Sequence, residues 1–211
     1  LCVSGEMGFA FTLNSGNFES LIKSGDTNGQ AAVTQINQII QSGLNGDANA
    51  QEVSVAFQAL NEEQQKQVID QIGEEQMVTF SPEGETKHVI YVFTDVDCGY
   101  CRKLHRELDD YLSRGIEVRY LFYPRSGPGT ASFKTAESVW CADDRQNALT
   151  RAKANQSVAP KQCDNPIMTH YVAGQQVGLR GTPLILLADG TSISGYMPAE
   201  PLEQRILAKG L

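Results

Sequence analysis

The chain of 211 residues is long enough for one large domain, or for one domain with a smaller companion. Its 41% hydrophobic content can form a packed core, and its 20% charged content is ordinary for a folded protein. A net charge of -8 argues against unspecific binding to nucleic acid or to anionic membrane surfaces, because phosphate attraction requires a surplus of Lys and Arg. No apolar run in the sequence approaches the ~18 residues of a membrane-spanning helix.

The first part of the chain is rich in Gln and has helical spacing of its apolar residues. The spacing predicts helices over residues 30–42, 51–60 and 61–73, the last with Asn61 as its N-cap. Each helix has a narrow apolar face. These helices therefore form an association surface or a linker helix, or they pack on the following domain.

Near residue 78 the pattern changes to alternating strands and helices. A buried strand is predicted over 88–93, a helix over 103–112 and a second strand over 116–123. This order is typical of a βαβ unit, so the two strands should be parallel. An irregular segment follows, with helical stretches predicted over 132–141 and 145–154. After it come two short strands, 184–187 and 192–196, joined by an Asp-Gly turn, and a closing helix over 200–208.

The residues with the clearest chemistry are Cys98-Gly99-Tyr100-Cys101, which lie between the first strand and its helix. This position places Cys98 at a helix N-terminus, where free N–H groups and the helix dipole favour a thiolate. Cys98 is therefore the candidate nucleophile, and Cys101, one turn further along, is the candidate resolving thiol. Gly99 and Tyr100 are candidate substrate contacts, with a neutral spacer as the alternative.

Other uses of a Cys-x-x-Cys pair are less well supported. A zinc site needs a second pair of ligands, whereas His88, His105 and His170 are widely spaced, and Arg102 stands where covalent haem attachment needs a His. No metal is predicted. His105 either tunes the thiolate or is a surface or core residue, and Asp95 and Asp97 either cap the helix or relay protons to Cys101.

Three further cysteines, Cys2, Cys141 and Cys163, need separate explanations. In an oxidising compartment Cys141 and Cys163 can pair as a structural disulfide worth ~3 kcal/mol, and two unrelated buried thiols are the alternative. The residues leave this choice open.

With these residues in place, the second part resembles the disulfide isomerase family of the bacterial periplasm, of the DsbC and DsbG type. The similarity covers roughly residues 75 to 205. It rests on the run from Lys87 through Phe93-Thr94-Asp95 to the Cys motif, Lys103-Leu104-His105, Val118-Arg119-Tyr120-Leu121, Pro124-Arg125, Trp140-Cys141-Ala142, Ser157-Val158-Ala159-Pro160 and Gly181-Thr182-Pro183.

The resemblance implies an α/β architecture: a thioredoxin fold over residues 78–211 with a helical subdomain inserted at about 128–172. It also implies a dimerisation region over 1–60 and a linker helix over 61–77. The family's dimerisation domain is rich in strands, whereas residues 1–60 have a helical pattern, so this part departs from the family.

The resemblance further assigns site residues. It implies Cys98 as attacking thiolate, Cys101 as resolving thiol, and Thr182-Pro183 as a cis-proline loop that faces them and binds the substrate chain in strand fashion. It also implies a structural disulfide between the two downstream cysteines, Cys141 and Cys163.

The function implied is a periplasmic protein disulfide isomerase that forms a homodimer and reshuffles wrong disulfides in misfolded secreted proteins. A membrane thiol reductase of the DsbD type would keep it reduced, and it needs no cofactor. A disulfide donor and a holding chaperone with secondary thiol activity are the alternatives.

Overall fold

The computed structural model describes residues 50–211. The chain divides into two compact units after Leu60, and the following description concerns the second unit, Asn61–Leu211, with the helix that leads into it. The predictions made for residues 1–49, including helix 30–42, the role of Cys2 and most of the oligomerisation segment, lie outside the described residues. Among residues 50–211, no helix is both long enough and apolar enough to span a bilayer.

The described chain alternates helices with the strands of one sheet. In chain order the elements are α1 (Ala50–Asp70), a 3-10 turn (Glu74–Gln76), β1 (Val78–Phe80), β2 (His88–Thr94), α2 (Gly99–Arg106), α3 (Leu108–Ser113), β3 (Ile116–Phe122), α4 (Ala131–Trp140), α5 (Arg145–Lys153), α6 (Ile167–Gln176), β4 (Leu184–Leu187), β5 (Ser192–Ser194) and α7 (Ala199–Ala208).

The five strands form a mixed sheet in the order β1-β3-β2-β4-β5. β2 and β3 are parallel, which confirms the predicted βαβ unit, and the other neighbouring pairs are antiparallel. In the register of the central strands, Phe93 lies opposite Leu121 on one side and Leu184 on the other. The central strand β2 therefore ends between two buried neighbours, and the Cys motif follows that end.

Apolar side chains cover both faces of the sheet, because alternate residues of a strand point to opposite faces. On one face, Ile90 and Val92 of β2 belong to a large core with residues of α2 to α5 and α7. On the other face, Phe93 belongs to a smaller core with the last turn of α1 and with α6. Helices α4 and α5, which were predicted from the sequence, thus contribute side chains to the large core.

Several predicted boundaries were wrong. The helices predicted over 51–60 and 61–73 are one helix, α1, and Asn61 lies inside it. No Gly or Pro interrupts residues 51–70, so the backbone hydrogen bonds continue through Asn61. The helix predicted over 103–112 is two helices, because the backbone of Glu107 (φ -98°, ψ 17°) leaves the helical region.

Strand β1 and helix α6 were not predicted from the sequence. Strand β1 has three residues, too few to show a period. Helix α6 was missed because Gly174 interrupts its apolar spacing. A Cβ atom at Gly174 would lie 2.3 Å from the ring of Tyr123, so this glycine permits close packing of α6 on the segment after β3.

Candidate active site

The Cys motif lies at the carboxyl end of β2 and opens helix α2. Cys98 occupies the N-cap position with extended backbone angles (φ -84°, ψ 124°), and its N–H donates to the carbonyl of Asp95 at 3.2 Å. No side chain caps α2, so the capping role predicted for Asp95 and Asp97 was wrong. The free N–H groups of the first turn are therefore directed to the region around the Cys98 sulfur.

Cys98 is a free thiol that lies against the Thr182-Pro183 loop. Its side chain is 4% exposed, and Sγ donates to the Thr182 carbonyl at 3.1 Å. The Thr182–Pro183 peptide bond is cis. The buried Thr182 hydroxyl has no hydrogen-bond partner, so it is available to donate to the sulfur when the proton is lost.

These contacts set the ionisation of Cys98. Burial raises the pKa of the Cys98 thiol, but groups that can donate to its thiolate outweigh burial: the Thr182 hydroxyl, the N–H and S–H of Cys101, and the N–H of Tyr100. The pKa therefore lies below its ordinary value. A lowered pKa makes Cys98 the better candidate for nucleophilic attack near neutral pH.

Cys101 is also buried, but the pKa of its thiol is shifted in the opposite direction. Its side chain is 1% exposed, and burial raises the pKa of its thiol above the ordinary value. The positive charge of Lys153 acts in the opposite direction but does not cancel this effect. One turn of helix thus separates a thiol that ionises readily from one that stays protonated.

The dipeptide between the cysteines is open to solvent. Tyr100 is 64% exposed, and a Cβ atom added at Gly99 would meet nothing within 4 Å. Both residues are accessible to a bound chain, as a substrate contact requires; their role as substrate contacts stays a prediction.

A buried carboxylate orders the turn before the motif. Asp95, 2% exposed, accepts hydrogen bonds from the Asp97 N–H at 2.9 Å and from Arg125 through its N–H at 3.1 Å and its Nε at 2.9 Å. The charge of Arg125 extends to both cysteines, whose thiolates raise the pKa of its guanidinium further. Sequence reasoning missed Arg125 as a site residue, although Pro124-Arg125 follows the parallel strand β3.

His105 is a core residue. It is 7% exposed; Nδ1 lies 3.1 Å from the Tyr120 hydroxyl and Nε2 lies 2.9 Å from the Thr150 hydroxyl. Burial, aided by the charge of Lys153, lowers the pKa of His105 to about 4. The imidazole is therefore neutral at pH 7 and brings no positive charge to the thiolate.

The other two cysteines of the described chain form a disulfide. Cys141, directly after α4, is bonded to Cys163, with a Cα–Cα distance of 5.7 Å and a sequence separation of 22 residues. The bond ties the end of α4 to the segment before α6. Within residues 50–211, no group of three or more His, Cys, Asp or Glu side chains is arranged to hold a metal ion.

Residues 73–209 match the family model described as a thioredoxin-like domain. The chain belongs to the thioredoxin-like domain family.

Among curated proteins, this thioredoxin-like domain is similar to thiol:disulfide interchange proteins named DsbC. The relative from Escherichia coli (strain K12) is 44% identical over 131 residues, which are 62% of this chain and 55% of that protein. The relative from Dickeya dadantii (strain 3937) is 41% identical over 150 residues, 71% of this chain and 60% of that protein. The chain thus spans less than two thirds of the length of these relatives.

Solved structures agree with this placement. The crystal structure of a disulfide interchange protein from Neisseria gonorrhoeae aligns with a TM-score of 0.58 and 28% identity, covering 65% of this chain and 97% of that one. A linker-deletion variant of Proteus mirabilis ScsC aligns with a TM-score of 0.62 over 83% of this chain and 95% of that one; at 18% identity it supports the fold alone. The predicted family and thioredoxin fold are confirmed.

The thioredoxin-like domain contains one further site residue that sequence reasoning missed. Lys153, at the end of α5, is 3% exposed and donates to the Asp95 carbonyl at 2.9 Å. A signal was present, since Lys153 follows the buried Leu149 by four residues and so shares its helix face.

Proposed function

We propose that this chain is a protein disulfide isomerase of the periplasm, in which Cys98 attacks wrong disulfides of secreted proteins. The observation that carries the proposal is the contrast between the two thiols: Cys98 has a lowered pKa and lies against the cis Thr182-Pro183 loop, whereas Cys101 is buried with a raised pKa. The similarity to proteins named for thiol:disulfide interchange supports the same chemistry.

The proposed reaction starts with the Cys98 thiolate. It attacks one sulfur of the substrate disulfide; that S–S bond breaks, and the other substrate sulfur leaves as a thiolate that takes up a proton from solvent. The result is a mixed disulfide between Cys98 and the substrate. Backbone groups of the Thr182-Pro183 loop, with Gly99 and Tyr100 at the rim, hold the substrate chain in an extended conformation.

The mixed disulfide can be resolved by two reactions, which we call its two exits. In isomerisation, a second cysteine thiolate of the substrate attacks the substrate sulfur that is bonded to Cys98. A new disulfide forms within the substrate and Cys98 leaves as a thiolate, with no net oxidation. In reduction, Cys101 attacks Cys98, and the substrate leaves reduced while the pair becomes a disulfide. A raised pKa of Cys101 slows the second exit and leaves time for the first.

The remaining parts of the proposal concern partners and organisation. A pair oxidised by the second exit needs a dithiol donor, for which a membrane reductase of the DsbD type is suited. We assign residues 1–60 to a dimerisation region, 61–77 to a linker helix, and 78–211 to the catalytic domain with its insertion at about 128–172. Structural stabilisation of the catalytic domain by Cys141–Cys163 fits an oxidising compartment.

One observation favours a second function, a disulfide donor. A lowered pKa of Cys98 stabilises the reduced pair and thereby makes the oxidised pair a stronger oxidant. The donor reaction is the reverse of the reduction described above: a substrate thiolate attacks the Cys98–Cys101 disulfide and Cys101 leaves.

The test is refolding of a scrambled multi-disulfide protein by the reduced chain, with Cys98→Ala and Cys101→Ala as variants. An isomerase restores native pairing; Cys98→Ala abolishes this, whereas Cys101→Ala keeps part of it because the substrate's own thiols can release Cys98. No recovery by the unaltered chain, together with fast oxidation of a reduced substrate by its oxidised form, would favour the donor. Light scattering on the same samples tests the homodimer.

A further inference from the structure

Lys153 is a buried lysine whose side chain reaches the base of the Cys motif. It alone among the lysines in the described part of the chain is buried, at 3% exposure. Its ammonium donates to the Thr94 hydroxyl and, at 2.9 Å, to the Asp95 carbonyl, both at the end of β2. Placing an ammonium away from water is costly unless nearby groups compensate.

The neighbouring carboxylate of Asp95 supplies only part of that compensation, because its charge acts on the ammonium without an ion pair between them. The carboxylate of Asp95 is bonded to Arg125 and to the Asp97 N–H, while Lys153 contacts the Asp95 carbonyl. Among residues 50–211, Lys153 forms none of the ion pairs. The ammonium can therefore be stabilised further by an anion that forms nearby.

The group that can supply this anion is Cys101. Burial lowers the pKa of Lys153 to about 8, and the strongest opposing influence is the charge of the Cys101 thiolate, ahead of Asp95 and Cys98, while Arg102 lowers it further. The effect is mutual, since the charge of Lys153 lowers the pKa of Cys101. His105, on the same side, is neutral at pH 7 and does not compete for the thiolate.

We propose that Lys153 is a positioning residue for substrate release: its ammonium, held by Thr94 and Asp95, stabilises the Cys101 thiolate that attacks the Cys98–substrate disulfide. In this step the Cys101 proton passes to solvent, the Cys98–Cys101 bond forms, and the bond from Cys98 to the substrate breaks. The substrate sulfur leaves as a thiolate and takes up a proton from water. The inference rests on the thiol–disulfide chemistry proposed above.

The charge of Lys153 thereby sets the balance between the two exits. Burial alone would make Cys101 a poor nucleophile. The mixed disulfide at Cys98 would then persist with any substrate that has no second thiol to displace Cys98. A cation that acts on Cys101 more strongly than on Cys98 speeds escape without altering the first attack.

The test replaces Lys153 with Met, which keeps the length of the side chain and removes the charge, and with Gln, which keeps a hydrogen-bond donor. The pKa of Cys101 is read from the pH dependence of thiolate absorbance in a Cys98→Ala background. We expect about tenfold less Cys101 thiolate at a given pH, equal to a rise of one pKa unit. In the two-cysteine chain, release from a preformed mixed disulfide should slow about tenfold, with a smaller change in the attack by Cys98.

Lys134→Met is the matched control, because Lys134 is exposed on α4 of the same helical region and should leave all three quantities unchanged. Lys153→Met should fold with an unchanged or higher Tm, since it no longer buries a charge. An unchanged pKa of Cys101 in either folded Lys153 variant overturns the inference. Failure of the unaltered chain to restore scrambled disulfides would refute the isomerase proposal and leave the pKa result intact.

Discussion

Replacing Asp95 provides a stringent test of how the turn before the Cys motif is held. The carboxylate is 2% exposed and accepts three hydrogen bonds, two of them from Arg125. Removing one member of a buried ion pair usually costs about 3 to 5 kcal/mol. Arg125 is 47% exposed in the pair and can turn to water, so we expect the lower end, about 3 kcal/mol, for Asp95→Ala. This corresponds to a Tm lower by roughly 6 to 12 °C.

The measurement is urea unfolding followed by circular dichroism, with both cysteines of the motif kept reduced. Asp97→Ala is the control, because Asp97 is 61% exposed and its ion pair with Arg102 spans 3.3 Å, so its loss should cost under about 1 kcal/mol. Asp95→Asn keeps one acceptor oxygen and should fall between the two. If Asp95→Ala and Asp97→Ala lie within about 1 kcal/mol of each other, the carboxylate does not hold the turn as argued.

Four further measurements test the ionisation of the two thiols, the disulfide and the core. Alkylation of single-cysteine variants should show Cys98 reacting at lower pH than Cys101; equal midpoints would contradict the contrast in pKa. Because the pKa of Cys98 is lowered on folding, its contribution to stability is present above the unfolded pKa and is lost as pH falls through the folded pKa, a trend that unfolding titrations of Cys98→Ala can measure. Replacing both Cys141 and Cys163 with Ala should lower stability by ~3 kcal/mol in urea unfolding, given the 22-residue separation, whereas a loss below about 1 kcal/mol would mean that the bridge restrains little. Leu149→Ala should cost roughly 2 to 5 kcal/mol because that side chain is fully buried, and a near-neutral result would place it outside the core.

Much of the fold was predictable because its signals are local. Buried strands are visible in the sequence as apolar runs, so the predicted bounds of β2, β3 and β4 were correct to within about one residue. The order strand, helix, strand predicted that β2 and β3 are parallel. Helix breaks were harder. The end of α2 at Glu107 and the continuity of α1 through Asn61 depend on packing and backbone angles that no residue type signals on its own.

The Cys motif was likewise visible from sequence, since adjacency in the chain ensures adjacency in space. Lys153 and Arg125 were not, because they come from segments 52 and 24 residues after Cys101 and meet the motif only in the folded chain. A buried lysine looks like a surface residue until its helix face is known.

The sequence by itself determined which atoms can react: two thiols spaced by one helical turn after a buried strand, in a chain of the thioredoxin type. Tertiary structure decided how differently they ionise. Burial, the Thr182 side chain and the charge of Lys153 act on these thiols from segments that are far apart in the chain. Electrostatic and hydrogen-bond energies depend on short distances and on exclusion of water, which only the packed fold provides.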